Sequence, residues 1–234
     1  MTRWLALPAL APAFVITAAL MLGATTPAPQ RSSNWNTTVT RTASGSHLIG
    51  NPRAEVKLTQ YVSYTCPHCA AFARSGDNAL ELAYVGPGRV QMEVRNFVRD
   101  PVDLTAAMLS NCGPANKFPQ NHKAFMSRQA RWLPTLASRT PAQVQRWTTG
   151  DYAARRRAMA ADFGFYAIME SRGYARTEVD RCLADNALAT RLSEATRADA
   201  NAGVTGTPSF ALGGRLLAGV HDWAALAPLV DDAL

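Results

Sequence analysis

The residues with the clearest chemical potential are two cysteines separated by two positions. Cys66 and Cys69 enclose a proline and a histidine in the sequence CPHC. Such a pair can hold a metal, attach haem, close a structural disulfide or exchange disulfides with another protein. Haem attachment requires a histidine directly after the second cysteine, and this chain has Ala70 there. The sequence therefore excludes haem attachment and leaves the other three kinds of chemistry open.

A metal site requires more clustered ligands than the chain offers. Structural zinc and iron–sulfur sites each use about four ligands, usually close in sequence. The other cysteines, Cys112 and Cys182, are isolated from each other and from the CPHC pair. Ligand spacing is also missing among the histidines His47, His122 and His221. We therefore predict no metal and no cofactor.

The position of the CPHC pair favours chemistry over a structural role. A disulfide between Cys66 and Cys69 closes a loop of only four residues, so it removes little entropy from the unfolded chain. Cys66 stands where a predicted strand ends and a predicted helix begins, and the N–H groups and dipole of that helix favour a thiolate. Pro67 suits the first helical turn, and His68 can add positive charge near the Cys66 sulfur.

Cys69 lies one helical turn after Cys66 and can resolve a mixed disulfide formed there. Because the thiolate is the attacking species, the sequence predicts a site of thiol–disulfide exchange. Any interaction that stabilises the reduced, ionised form makes the corresponding disulfide a stronger oxidant. The motif therefore favours a protein that donates disulfides.

The elements that must position this pair are a mixture of strands and helices. Strands are indicated by alternating apolar and polar residues, and helices by apolar residues at helical spacing. A long central stretch has helical spacing throughout and is predicted to contain four or so helices. One of these begins at Thr140, where Pro141 and Gln143 complete a capping pattern. In order, the predicted elements are a strand at 56–61, a helix at 67–84, a strand at 90–98, the helical stretch at 104–200, a hairpin at 208–217 and a helix at 222–233.

The N-terminus predicts export. Arg3 precedes an apolar run from Leu5 to Leu22, which small residues follow, and this is the layout of a secretory signal. We predict a cleaved signal peptide at 1–28, with an uncleaved membrane anchor as the alternative. Residues 29–46 are rich in Ser, Thr, Pro and Ala and are predicted to form a flexible tether. Disulfides persist in an exported protein, so its four cysteines form an even set that can pair.

The composition is that of a single globular domain with a basic surface. The chain has 234 residues, 47% of them hydrophobic, and a formal charge of +7. Arg155, Arg156 and Arg157 form the densest basic run, which can belong to a nucleic-acid patch or to a solvated helix face. Aromatic residues are not interleaved with this run, which favours the helix face. We therefore predict no nucleic-acid partner.

Three segments resemble the DsbA-like branch of the thioredoxin superfamily. They are GNPRAEVKLTQYVSYTCPHCAAF at 50–72, VRNFVRDP at 94–101 and GVTGTPSFALGGRLLAG at 203–219. The resemblance implies an α/β, thioredoxin-like fold with an inserted all-helical domain, and a periplasmic thiol–disulfide oxidoreductase. The implied division is a first thioredoxin-like part at 47–103, the helical insertion at 104–200 and a second thioredoxin-like part at 201–234.

The resemblance also assigns roles to single residues. It implies that Cys66 attacks and that Cys69 is the buried resolving cysteine, with Pro67 and His68 supporting the site. Pro208 matches a cis-proline that faces the cysteines in such proteins, and Thr207 precedes it. In the family this loop offers backbone groups to an extended substrate peptide, which implies substrate binding by Thr207 and Pro208.

Two features concern positions outside the CPHC motif. Many relatives have a buried glutamate six residues before the first cysteine, where it assists proton movement at the resolving thiol. This chain has Gln60 there, a supporting residue that cannot titrate. The resemblance also implies a second disulfide, Cys112–Cys182, in the helical insertion. An oxidising compartment favours a structural role for this bond over a regulatory one.

We expect an exported, monomeric oxidase that introduces disulfides into unfolded or reduced exported proteins. An unidentified redox partner would reoxidise it, and membrane contact is expected only through an uncleaved N-terminal segment. The nearest alternative is a disulfide isomerase or reductase. Isomerases of this superfamily typically dimerise through an added N-terminal domain, whereas only a short tether is predicted here. A non-enzymatic protein that binds metal or peptides is the third alternative.

Overall fold

The computed structural model describes residues 1, 2, 4 and 34–234. Contacts divide the chain into two units, Met1–Arg31 and Ser32–Leu234, and the sheet and helices described belong to the second. Almost all of the predicted signal peptide, its cleavage positions and the first residues of the predicted tether lie outside the described residues. Within the described residues, no helix has the length and apolar character needed to cross a membrane.

A mixed sheet, six-stranded in the described residues, forms the centre of this unit. The strands are β1 (Val39–Arg41), β2 (His47–Gly50), β3 (Val56–Val62), β4 (Val90–Asn96), β5 (Ser209–Leu212) and β6 (Arg215–Leu216). Their spatial order is β1-β2-β4-β3-β5-β6. The strand before the cysteine motif, β3, is parallel to β4 on one side and antiparallel to β5 on the other. The cysteine motif therefore follows a strand with neighbours on both sides.

Alternation of side chains explains the two long central strands. In β3 the apolar residues Val56, Leu58 and Val62 are buried, and β4 has the same alternation. Both strands are predicted from the sequence, and both predictions are confirmed apart from small differences at the strand ends. Gln60 is the exception in β3, because it is polar yet only 1% exposed.

Residues 34–46 differ from the predicted flexible tether. A single turn of 3-10 helix, Trp35–Thr37, leads into β1, which pairs with β2 in antiparallel fashion. The hydroxyl groups of the turn between these strands bond to one another and, through Ser46, to Glu93. A short hairpin with a polar turn has little apolar periodicity, which is why its sequence resembles a linker. For the same reason, the predicted order of elements lacks strands β1 and β2.

A block of α-helices, eight in the described residues, follows β4. The helices are α2 (Pro101–Ser110), α3 (Phe118–Trp132), α4 (Pro134–Ala137), α5 (Pro141–Thr148), α6 (Tyr152–Asp162), α7 (Phe165–Glu170), α8 (Arg176–Leu183) and α9 (Asn186–Asn201). Thr140 and Gln143 form the predicted capping box before α5. The prediction of four or so helices is wrong, because caps and turns divide the stretch into short helices.

Helix α1 (Pro67–Leu80) begins directly after the first cysteine and continues into one wider turn, Glu81–Val85. The hairpin of β5 and β6 turns at Gly213 and Gly214, both of which have the positive φ that a two-residue hairpin turn requires. Helix α10 (Trp223–Asp232) follows as predicted. The predicted α/β class, with helices inserted between two parts of one sheet, is confirmed.

Candidate active site

The two cysteines of the CPHC motif lie at the start of α1. Cys66 is the N-cap residue with extended backbone, and Pro67 occupies the first helical turn. Both sulfur-bearing residues are buried, with Cys66 2% exposed and Cys69 1% exposed. Both carry free thiols, so the geometry is that of the reduced pair.

The surroundings of Cys66 lower the pKa of its thiol to about 5. The main cause is a hydrogen bond from the Cys69 thiol, which stabilises the Cys66 thiolate. Thr207 and the backbone N–H groups of His68 and Cys69 add further hydrogen bonds, whereas burial acts in the opposite direction. Cys66 is therefore ionised at neutral pH, which is the form that attacks disulfides.

The pKa of Cys69 is raised above its ordinary value, mainly by burial. Its hydrogen bond to Cys66 and the charge on that residue raise the pKa further. The Ser63 N–H, 3.5 Å from the Cys69 sulfur, acts in the opposite direction. At neutral pH the pair therefore consists of one thiolate and one thiol. This division suits Cys66 to nucleophilic attack and Cys69 to holding a proton.

The loop before β5 lies against the reactive sulfur. The Thr207–Pro208 peptide bond is cis, as the resemblance implies. The Cys66 sulfur lies 3.1 Å from the Thr207 carbonyl oxygen, to which it donates a hydrogen bond only when it is protonated. His221 Nδ1 donates to the Pro208 carbonyl oxygen over 2.8 Å and so fixes the other side of the loop. The two predicted substrate-binding residues are thus brought to Cys66 by the fold.

His68 makes a different contact from the one expected. Its side chain is exposed. The group of His68 that lowers the pKa of Cys66 is its backbone N–H. The predicted effect of the charged ring on the Cys66 sulfur stays a prediction.

Gln129 ties the helical block to the cysteine loop. It lies on α3, is 3% exposed, and donates hydrogen bonds to the carbonyl oxygens of Tyr64 and Cys66 over 2.7 and 2.8 Å. One amide therefore fixes the backbone on both sides of Thr65. The sequence predicts no role for Gln129, because nothing in its local pattern distinguishes it from the other glutamines.

We expect Gln129→Leu to loosen this loop. Two buried carbonyl groups would each lose a hydrogen-bond donor, which costs about 1–3 kcal/mol for each group, so the free energy of unfolding should fall by about 2–6 kcal/mol. The pKa of Cys66 should rise towards its ordinary value, because the backbone around the sulfur is no longer held. Urea denaturation measures the stability, and the ultraviolet absorbance of the thiolate measures the pKa.

The matched control for this prediction is Gln145→Leu, at an exposed position of α5. It should change stability by no more than about 0.5 kcal/mol and leave the pKa of Cys66 unchanged. If Gln129→Leu were destabilised but kept the low pKa of Cys66, Gln129 would support the fold and not the site.

Two carboxylates in the first turn of α2 hold the same loop. Asp100 caps α2 and accepts a hydrogen bond from the Thr65 hydroxyl over 2.6 Å. Asp103 accepts from the Ser63 hydroxyl over 2.6 Å and from the Tyr64 N–H over 2.7 Å. In the sequence, aspartate before proline marks the start of a helix. It does not reveal contact with a loop 35 to 40 positions earlier, so these two residues were not predicted.

Gln60 occupies the position of the family's glutamate and has a carboxylate beside it. Its Nε2 donates to Asp77 Oδ1 on α1 over 3.2 Å. Asp77 Oδ2 lies 3.7 Å from His122 Nε2 on α3. A buried carboxyl group is therefore present under α1, but it comes from the helix and not from β3.

Cys112 and Cys182 form a disulfide between α8 and the turn that follows α2. The two residues are 70 positions apart. The four cysteines thus divide into one bonded pair in the helical block and one free pair at the start of α1.

A family model described as thioredoxin matches residues 42–232. This chain belongs to the thioredoxin family. The match covers both parts of the sheet, the helical block between them and all four cysteines. The thioredoxin-family assignment therefore applies to all of the residues from β2 to α10.

Similar proteins connect this thioredoxin-family chain to DsbA-like folds. The crystal structure of protein-disulfide isomerase from Novosphingobium aromaticivorans is 49% identical with a TM-score of 0.77, over 80% of this chain and 96% of that chain. That of alpha-DsbA1 from Wolbachia pipientis is 20% identical with a TM-score of 0.63, over 80% of this chain and 89% of that chain, and shows the shared fold. A candidate protein-disulfide oxidoreductase of Rickettsia felis is 28% identical over 80% of this chain, which spans 59% of that relative's length. The predicted DsbA-like thioredoxin fold is confirmed.

Proposed function

We propose that this chain is a DsbA-type thiol–disulfide oxidoreductase that introduces disulfides into other proteins through Cys66 and Cys69. The observation that carries the proposal is the pair of opposed pKa shifts, to about 5 for Cys66 and above the ordinary value for Cys69. Hydrogen bonds to the Cys66 thiolate stabilise the reduced pair relative to an ordinary dithiol. The corresponding disulfide is therefore a strong oxidant.

The reaction begins when a substrate thiolate attacks the Cys66 sulfur of the oxidised protein. A bond forms between the substrate and Cys66, the Cys66–Cys69 bond breaks, and Cys69 leaves as a thiolate that takes up a proton. A second substrate thiolate then attacks the first substrate sulfur and displaces the Cys66 thiolate. Two electrons pass from the substrate to the protein. The low pKa of Cys66 makes it a good leaving group in the last step.

Thr207 and Pro208 are the proposed contact for the substrate backbone. They lie between the Cys66 sulfur and β5. An extended peptide that pairs with this loop would present its own sulfur to Cys66. The proposed substrates are unfolded or reduced exported proteins. Each cycle leaves two electrons on the protein, so a redox partner must remove them.

We further propose that the protein is exported to the periplasm as a monomer. The support for export is the basic residue Arg3 before the apolar run at 5–22, together with the Cys112–Cys182 disulfide. Disulfides of this kind persist in oxidising compartments. We assign residues 104–200 to the helical insertion. The residues on either side of it, 47–103 and 201–234, form the two thioredoxin-like parts.

We expect the Cys66 thiolate of the reduced protein to titrate near pH 5. We also expect the reduction potential of the Cys66–Cys69 pair to lie well above that of glutathione. Thiolate absorbance measured against pH gives the first value, and equilibration with glutathione buffers gives the second. The Cys66→Ala variant is the control, because it lacks the titrating thiol. A potential below that of glutathione would reverse the direction of electron flow and make the protein a reductase.

A disulfide isomerase is the second candidate, and one finding favours it. The structure from Novosphingobium aromaticivorans that is 49% identical to this chain is named protein-disulfide isomerase. An isomerase in its reduced form attacks incorrect disulfides and then releases the corrected substrate. Ribonuclease assays separate the two functions. An oxidase accelerates disulfide formation in the reduced ribonuclease, whereas an isomerase reactivates the enzyme with scrambled disulfides.

A further inference from the structure

Four side chains form a hydrogen-bonded chain along the loop that precedes the cysteines. At the inner end, Asp103 Oδ2 lies 2.6 Å from the Ser63 hydroxyl. The Ser63 hydroxyl lies 3.3 Å from the Thr65 hydroxyl, which donates to Asp100 Oδ2 over 2.6 Å. Ser63 and Asp103 are almost completely buried, whereas Asp100 is half-buried and lines an open groove. The four side chains therefore lead from the protein interior to solvent.

Asp103 is a carboxyl group whose two protonation states are close in energy. It is 1% exposed, and no arginine or lysine side chain pairs with it in the described part of the chain. Its partners are the Ser63 hydroxyl and the backbone N–H groups of Tyr64 and Arg99. Burial raises the pKa of Asp103 to about 7, and the charge of Asp100 adds to the increase. Both forms are therefore present near neutral pH.

Ser63 joins this carboxyl group to the buried cysteine. Its hydroxyl bonds to Asp103, and its backbone N–H donates to the Cys69 sulfur over 3.5 Å. The other titratable groups that interact with Asp103 are Asp100 and Tyr64, and burial raises the pKa of Tyr64. Burial keeps Tyr64, whose hydroxyl bonds to His122, neutral at neutral pH, whereas the pKa of Asp103 lies in this range.

We propose that Asp103 is a positioning residue for the step in which Cys69 departs. It holds one exchangeable proton beside Ser63, and its charge makes the rate of that step depend on pH. This inference rests on the proposed function, because Cys69 leaves as a thiolate only if the pair exchanges disulfides. Gln60, at the position of the family's glutamate, contacts Asp77 and not these side chains.

The hydrogen bonds that link the four side chains can form with their hydrogen atoms in either of two arrangements. When Asp103 is ionised, Ser63 donates to it, and the negative charge disfavours a thiolate on Cys69. When Asp103 is protonated, it donates to Ser63, and the Ser63 hydrogen turns towards Thr65. The negative charge is then absent, so Cys69 leaves more easily. The proton enters and leaves through Thr65 and Asp100.

The test measures how fast the oxidised protein reacts with a reduced single-cysteine peptide across the neutral pH range. Each rate constant is corrected for the ionised fraction of the peptide thiol. We expect the corrected rate constant of the wild type to fall about threefold to tenfold as pH rises, with a midpoint near pH 7. Asp103→Asn should keep the fast, low-pH rate throughout, because the amide carries no negative charge at any pH. Ser63→Ala removes a hydrogen bond that lowers the pKa of Asp103, so it should move the midpoint to higher pH.

Asp77→Asn is the matched control, because Asp77 is a second buried carboxyl group that contacts Gln60 and not the loop. This variant should keep the midpoint of the wild type. A pH effect that persists in Asp103→Asn overturns the inference, as does a corrected wild-type rate that does not change with pH. If Asp103→Asn does not fold, a midpoint that does not move in Ser63→Ala overturns it. A wild-type protein that does not react with the peptide contradicts the proposed function instead, so the two failures are distinguishable.

Discussion

Replacing Cys66 with serine is expected to reduce thiol–disulfide exchange to the uncatalysed rate. Cys66 carries the thiolate, and a serine hydroxyl in its place neither ionises at neutral pH nor forms a disulfide. The rate at which the protein oxidises reduced ribonuclease should fall by roughly 1000-fold or more, as it does when a covalent mechanism loses its nucleophile. Stopped-flow measurement of thiol loss in the substrate gives this rate directly.

Cys69→Ser is the informative companion variant. It keeps the Cys66 thiolate but lacks the thiol that resolves a mixed disulfide. When the reduced variant meets a substrate disulfide, a covalent complex through Cys66 should therefore accumulate, visible by mass spectrometry and on a non-reducing gel. Full exchange activity in Cys66→Ser would contradict the mechanism, and a complex trapped through Cys69 in the Cys66→Ser variant would reverse the two roles.

Removing the second disulfide is expected to have the largest effect on stability. The Cys112→Ala/Cys182→Ala variant opens a loop of 70 positions. The loop-entropy model gives a loss of about 4 kcal/mol in the free energy of unfolding. For a protein of this size, that loss corresponds to a melting temperature lower by roughly 8–16 °C. Urea and thermal denaturation followed by circular dichroism measure the two quantities.

The control is a Cys66→Ala/Cys69→Ala variant, which keeps the second disulfide. A reductant should destabilise this control but not the Cys112→Ala/Cys182→Ala variant, whose remaining Cys66–Cys69 pair is stabilised in its reduced form. Since the disulfide lies in the helical block, away from Cys66, the variant that lacks it should keep exchange activity within about twofold at low temperature. If the two variants were equally stable, the structural role of the bond would be contradicted.

The local part of the site could be predicted from the sequence because its signals are short. Cys66, Pro67 and Cys69 fall within one helical turn, at a point where the apolar periodicity changes from that of a strand to that of a helix. The Cys112–Cys182 bond and the Thr207–Pro208 loop were implied by the family resemblance. Periodicity carries no information about them, because their partners are distant in the chain.

The supports of the site could not be predicted, because they depend on which distant residues the fold brings together. Gln129 lies 63 positions after Cys66, and Asp103 lies 40 positions after Ser63. Each is a common residue type at an ordinary helical position, and only tertiary packing gives it a partner. Strand β1 was missed for a different reason, since a short edge strand beside a polar turn lacks the apolar alternation that marks β3 and β4.

The order of the strands determines when the cysteines acquire their properties during synthesis. Thr207 contacts Cys66 across 141 positions of the chain, and β5 joins β3 only after the helical block has been made. A growing chain therefore contains both cysteines long before the segment that contacts them. Until that segment is in place, Cys66 lacks one of the hydrogen bonds that lower its pKa. The nascent protein thus stabilises the Cys66 thiolate less than the folded protein does, and its full oxidising power arrives together with the completed fold.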